Sequence, residues 1–60
     1  MTGVIKIFDG KCGIILNDNG VDEYRFSISG LVDVIDIGDD VKFEVNEEGF
    51  AVNIIYQMEL

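Results

Sequence analysis

The residues able to carry chemistry in this chain are one cysteine, Cys12, twelve acidic residues and four basic ones, with no histidine. A nucleophilic site needs a side chain such as serine, cysteine or lysine beside a general base, and histidine is the usual base. Cys12 has no such neighbour in the sequence, and Gly10-Lys11 lacks the context of a phosphate-binding loop. Twelve acids always contain some carboxylate pair, but 60 residues leave no deep pocket to perturb one. The sequence therefore predicts a protein that is not an enzyme.

Two acidic stretches are the candidates for a metal ion. NDNGVDE, residues 17–23, shares acidic and glycine residues with a calcium loop but lacks its twelve-residue spacing and closing glutamate. DVIDIGDD, residues 33–40, gathers four aspartates, which would suit a weakly held, hydrated magnesium ion. Turn-forming and solvated side chains explain both stretches better than a metal site does. One cysteine cannot make a cysteine-based site. We expect no metal and no other cofactor.

The charge balance limits the choice of partner. Four basic and twelve acidic residues leave a net charge of −8. Nucleic acids are attracted by cations that release their counterions, and a negative field opposes that approach. The charge of one face can differ from the net charge of the chain. The acidity therefore lowers the expected affinity for nucleic acid without excluding binding. Neither a signal peptide nor a membrane span is visible, which predicts a reducing, cytoplasmic setting.

Five short segments are typical of β-strands, because β-branched and aromatic residues alternate with polar ones. In the fourth segment Val41, Phe43 and Val45 share one face, and the polar residues share the other. The predicted strands are 3–8, 12–16, 22–28, 41–46 and about 50–57. The predicted core residues are Val4 or Ile5, Ile15, Tyr24, Phe26, Val41, Phe43, Val45 and Ile54.

The turns between these segments favour a small barrel. Asp9-Gly10 and Glu47-Glu48-Gly49 each join two strands, and Asn19-Gly20 is the strongest hairpin signal. Asn-Gly predicts a type I′ turn, in which both central residues have positive φ. Five strands joined in this way predict an all-β fold, a small five-stranded antiparallel barrel forming one domain over 1–60.

The connection GLVDVIDIG, residues 30–38, is unusually apolar for a surface loop. One interpretation is that it folds over one end of the barrel and closes it. The alternative is a contact surface for a partner.

The whole chain is similar to the bacterial cold-shock proteins, which are five-stranded OB-fold barrels. GVIKIF, residues 3–8, resembles the family's G-x-V-K-W-F. KCGIIL, residues 11–16, falls on the first RNA-binding motif, K-G-F-G-F-I, in a shortened form, and EYRFSIS, residues 23–29, falls on the second, D-V-F-V-H-F-S. IDIGDDVKFEV, residues 35–45, resembles L-x-x-G-x-x-V-x-F-E-V, and AVNI, residues 51–54, resembles A-x-N-V. The resemblance implies an OB-fold that binds single-stranded DNA or RNA.

The departures from the family lie on its nucleic-acid-binding face. The resemblance places this face on Lys6, Ile7, Phe8, Cys12, Ile14, Arg25, Ser27 and Ile28. Every residue in this set except Lys6 and Phe8 replaces an aromatic residue or a histidine of the family. Lys6 remains to meet a phosphate, and the guanidinium of Arg25 can stack on a base. Losing three stacked bases removes about 3–9 kcal/mol, so even the low end weakens binding about a hundredfold.

Two functions therefore compete. One is a cold-shock-like module that binds single-stranded nucleic acid weakly through the residues just named. The other is a protein-interaction or self-association module, because Ile7, Cys12, Ile14 and Ile28 would leave the same face aliphatic and exposed, as a surface for a protein partner or a homodimer.

Overall fold

The computed structural model describes residues 1–57, which form one curled sheet of five antiparallel strands. The strands are β1 (Thr2–Phe8), β2 (Cys12–Asn17), β3 (Glu23–Ser27), β4 (Asp40–Val45) and β5 (Ala51–Tyr56). All five predicted strands are confirmed, with each end placed within one residue. They form because alternating β-branched and aromatic residues lie between turns that carry glycine.

The strand order is β3-β2-β1-β4-β5, so β1 lies in the middle and pairs with both β2 and β4. Over residues 1–57 the two outer strands, β3 and β5, come into contact without forming a ladder. A 3-10 turn at Ile28–Gly30 and a parallel bridge between Leu31 and Ile54 lie at this seam. The predicted all-β, five-stranded antiparallel fold is confirmed, as a partly open barrel of the OB-fold kind.

The core fills the inside of the curled sheet. Its buried side chains are Ile5, Ile15, Phe26, Ile35, Val41, Phe43, Ala51 and Ile54. Six of them were predicted, and the choice between Val4 and Ile5 falls on Ile5. Tyr24 and Val45, also predicted, are half-buried and pack against this core. Ile35 and Ala51 are core residues that the strand pattern did not identify.

The connection 30–38 is divided between the core and the solvent. Leu31 packs on the core and Ile35 is buried within it, so this part folds onto the barrel, as in the first of the two interpretations. Backbone hydrogen bonds tie the connection to the sheet. The N–H of Val32 donates to the Ile54 carbonyl (2.9 Å), and that of Gly38 donates to the Ile5 carbonyl (2.8 Å). The remaining apolar side chains, Val32, Val34 and Ile37, are exposed.

The hairpin between β2 and β3 forms where it was predicted, but the predicted type I′ turn is wrong. Gly20 has a φ of 76°, whereas Asn19 keeps a negative φ. The Asn19 side-chain oxygen instead accepts the N–H groups of Val21 (2.9 Å) and Asp22 (3.0 Å). The Asn17 carbonyl accepts the Gly20 N–H at 2.9 Å. Because the asparagine side chain satisfies two backbone donors, only one residue of the loop needs the left-handed conformation.

Candidate nucleic-acid interface

A β-bulge in β1 decides which side chains reach the outer face. Ile5 pairs with Ile15, but the next paired residue, Ile7, is opposite Ile14, so Lys6 is an extra, unpaired residue. The bulge reverses the alternation and turns Ile7 outward. Ile14 is in turn opposite Arg25 on β3. Since residues opposite each other on antiparallel strands share a face, Ile7, Ile14 and Arg25 form one row across the outside of the sheet.

A groove of about 460 Å³ runs over this row. Its lining, which we call the outer-face groove, consists of Ile7, Asp9, Cys12, Gly13, Ile14, Arg25, Phe26, Ser27 and Phe50. It brings together five of the eight residues predicted for the binding face: Ile7, Cys12, Ile14, Arg25 and Ser27. The cross-strand register explains this convergence, because Cys12 is opposite Ser27 just as Ile14 is opposite Arg25.

The other three predicted residues lie outside the groove. Lys6, in the bulge, forms an ion pair with Glu23 on the surface. Phe8 turns toward the core, where its ring stacks on that of Phe26 with centroids 5.7 Å apart. Ile28 begins the 3-10 turn after β3 and is exposed beyond the end of the strand.

The groove carries one basic and one acidic side chain, Arg25 and Asp9. Within residues 1–57, Arg25 takes part in no ion pair. The Asp9 carboxylate accepts the backbone N–H groups of Cys12 (2.9 Å) and Lys11 (2.8 Å), and these hydrogen bonds lower its pKa. Asp9 therefore remains charged and holds the β1–β2 turn, while the Arg25 guanidinium is available to a ligand.

No family model, curated protein or solved structure matches this chain. The five residues that converge in the outer-face groove, and the chemistry they share, are therefore the basis for any functional proposal.

Phe50 is a groove residue that the sequence analysis missed. It was predicted to be the first residue of the last strand, but β5 begins at Ala51, so Phe50 lies just outside the ladder. Phe50 is 43% exposed and lines the outer-face groove from the β4–β5 connection. Sequence alternation gave no signal for this position: counted back from the predicted core residue Ile54, it places Phe50 on the inner face. The irregularity in the β4–β5 ladder between Lys42 and Glu44 puts Ala51 inside instead.

The aspartates of residues 33–40 act mainly as acceptors for backbone groups. Asp33 accepts the Tyr56 N–H at 2.8 Å, and Asp39 accepts the Asp36 N–H at 2.8 Å. In the part of the chain that the structure describes, no three acidic or cysteine side chains are grouped to hold a metal ion. In the same residues, no helix has the length and apolar character needed to cross a bilayer.

Proposed function

We propose that this chain is a non-enzymatic binding module of the cold-shock type, whose outer-face groove binds single-stranded nucleic acid weakly. One observation carries the proposal: Arg25, in no ion pair within residues 1–57, lines the groove together with the exposed Ile7 on β1 and the half-buried Ile14 on β2. This face of an OB-fold is the one suited to bind an extended strand. The exposed thiol of Cys12 fits a reducing, cytoplasmic compartment.

The binding is expected to be weak for two reasons. Aliphatic, thiol and hydroxyl side chains occupy positions where the family stacks bases, and each stacked base contributes about 1–3 kcal/mol. The net charge of −8 opposes the approach of phosphates. We expect dissociation constants on the order of tens of micromolar or weaker for short pyrimidine-rich strands at physiological salt.

Arg25→Ala should weaken this binding about fivefold, because the variant loses the cation that lines the groove. Fluorescence-anisotropy titration of a labelled oligothymidylate at low and moderate salt measures the change. Lys42→Ala is the matched control, since it removes one positive charge from an exposed position on β4, outside the groove. Equal losses in both variants would show that net charge alone drives binding. A salt-tolerant nanomolar complex would contradict the proposed weakness.

Self-association through the same face is a second candidate function. The two isoleucines of the row, which no other part of residues 1–57 covers, favour it. Ile7 is 49% exposed and lies opposite the half-buried Ile14. The connection 30–38 does not cover these residues, because it packs against β1 and β5 and none of its residues lines the groove. A second copy related by a two-fold axis would cover the same row on both chains. The uncharged centre of the row would allow this contact in spite of the net charge.

Ile14→Glu tests the second candidate by analytical ultracentrifugation. If the row is a dimer interface, the wild type sediments as a dimer, and the introduced charge produces a folded monomer. Val34→Glu is the control, because Val34 is 99% exposed in the connection and lies outside the row. A monomeric wild type, with Ile14→Glu less stable to heat, means that Ile14 supports the fold and that the dimer should be abandoned.

A further inference from the structure

Phe50 lies between two adjacent depressions on the surface. One is the outer-face groove. The other, which we call the polar cleft, has a volume of about 280 Å³ and is lined by Ser27, Ser29, Gly30, Asn46, Glu48, Phe50, Ala51, Val52 and Asn53. The two depressions share Ser27 and Phe50. The exposed residue Phe50 therefore belongs to the lining of both.

The two depressions differ in chemistry. The centre of the outer-face groove is aliphatic, with Ile7 and Ile14 in its lining. The polar cleft contains the hydroxyl groups of Ser27 and Ser29, whose oxygens lie 2.6 Å apart, and Asn46 and Asn53 also line it. It also contains the carboxylate of Glu48, which disfavours a phosphate in the cleft. An uncharged group with hydrogen-bonding edges, such as a base or a sugar, suits the polar cleft better.

The backbone on either side of Phe50 is fixed by Asn46. The Phe50 N–H donates to the Asn46 side-chain oxygen (2.9 Å), and the Asn46 N–H donates to the Phe50 carbonyl (2.9 Å). The same side-chain oxygen accepts the Glu48 N–H at 3.0 Å, and Gly49 takes the positive φ of 85° that the turn requires. A ring presented by an ordered turn loses little conformational entropy when a ligand stacks on it.

From these observations we infer that Phe50 is the base-stacking residue of the module. Neighbouring nucleotides of one single strand then occupy the outer-face groove and the polar cleft on either side of the ring. This inference rests on the proposed function. An aromatic ring can stack on any base. Hydrogen-bonding side chains can contact the edges of a base that is not stacked on its neighbours in the strand. The stacking ring that the strands lack is thus supplied by the β4–β5 turn.

Phe50→Leu and Phe50→Trp test this role. Leucine keeps an apolar side chain of similar size but removes the aromatic face, so it should weaken oligothymidylate binding about tenfold. The chain contains no tryptophan, so Phe50→Trp introduces the only indole. That variant should bind at least as tightly as the wild type, and its emission should be quenched at saturation. Tyr56→Leu is the control, because Tyr56 is 47% exposed on β5 and lines neither depression.

The outcomes separate this inference from the proposed function. In one outcome the wild type binds, Phe50→Leu binds equally well, and the indole emission of Phe50→Trp does not change. The stacking role is then wrong, and the proposed function stands. If the wild type binds no oligothymidylate even at low salt, the proposed function fails, and the stacking role fails with it. If Phe50→Leu and Tyr56→Leu weaken binding equally, stacking at Phe50 is also refuted.

Discussion

Phe43→Ala is expected to leave this domain largely unfolded at room temperature. Phe43 is 1% exposed and is among the largest fully buried side chains, with its ring 5.6 Å from that of Tyr24. Truncating such a phenylalanine costs about 3–5 kcal/mol. The free energy of unfolding is about 0.05–0.15 kcal/mol per residue, which gives about 3–9 kcal/mol for a 60-residue domain. The loss is therefore comparable with the whole free energy of unfolding.

Circular dichroism during urea and thermal unfolding measures this effect. Tyr56→Ala is the matched control, because it truncates a half-exposed aromatic side chain and should cost under about 1 kcal/mol. Phe43→Leu should lie between the two, since it leaves a smaller cavity. A cooperative transition for Phe43→Ala within about 1 kcal/mol of the wild type would show that this core position is not essential.

The strands were predictable because their signals are local. Alternation in residues 41–46 identifies Val41 and Phe43 as inward-facing, and glycine-bearing turns mark the ends of the segments. The burial of Ile35 has no local signal. It depends on the connection docking on the sheet, where the Gly38 N–H meets the Ile5 carbonyl, and no periodicity within residues 30–38 encodes that contact.

The site was only partly predictable, because a bulge interrupts the alternation of β1. An uninterrupted strand would place Ile7 on the same face as Ile5, inside the barrel. The extra residue Lys6 reverses this assignment, so that Ile7 points out and Phe8 points in. The resemblance to the cold-shock family placed Ile7 and Phe8 together on the binding face, whereas the bulge puts them on opposite faces of the sheet. Phe50 was missed because the first residue of a strand cannot be told from the last residue of a turn by pattern alone.

The acidity of the chain is partly explained by its turns. Asp9, Asp33 and Asp39 each accept backbone N–H groups at the ends of strands or in connections, where a short carboxylate side chain satisfies donors that the ladder leaves free. These three of the twelve acidic residues thus have a role in the fold. The net charge therefore opposes nucleic acid without indicating any ligand of its own, and the charges in the groove have to be considered beside it.

Gly13→Ala is expected to cost about 3 kcal/mol or more, and to destroy the outer-face groove along with the fold. Gly13 lies in β2 where three strands meet, opposite Phe8 on β1 and Phe26 on β3. A Cβ atom at this position would lie 2.6 Å from the Phe26 ring and closer still to the Ile7 carbonyl oxygen. The first contact is a buried ring and the second is backbone, so neither can move aside without disturbing the bulge that turns Ile7 outward.

Gly20→Ala separates this steric effect from the general cost of replacing glycine. Gly20 has a φ of 76°, so alanine there is strained by about 1 kcal/mol, but a Cβ atom would meet nothing within 4 Å. Gly13 has no positive φ, so its whole penalty must come from the missing space. Urea unfolding should therefore rank Gly13→Ala well below Gly20→Ala in stability, although only Gly20 has a backbone conformation that disfavours alanine. Equal losses would mean that β1 and β2 do not approach each other this closely, and the outward placement of Ile7 would then lose its structural basis.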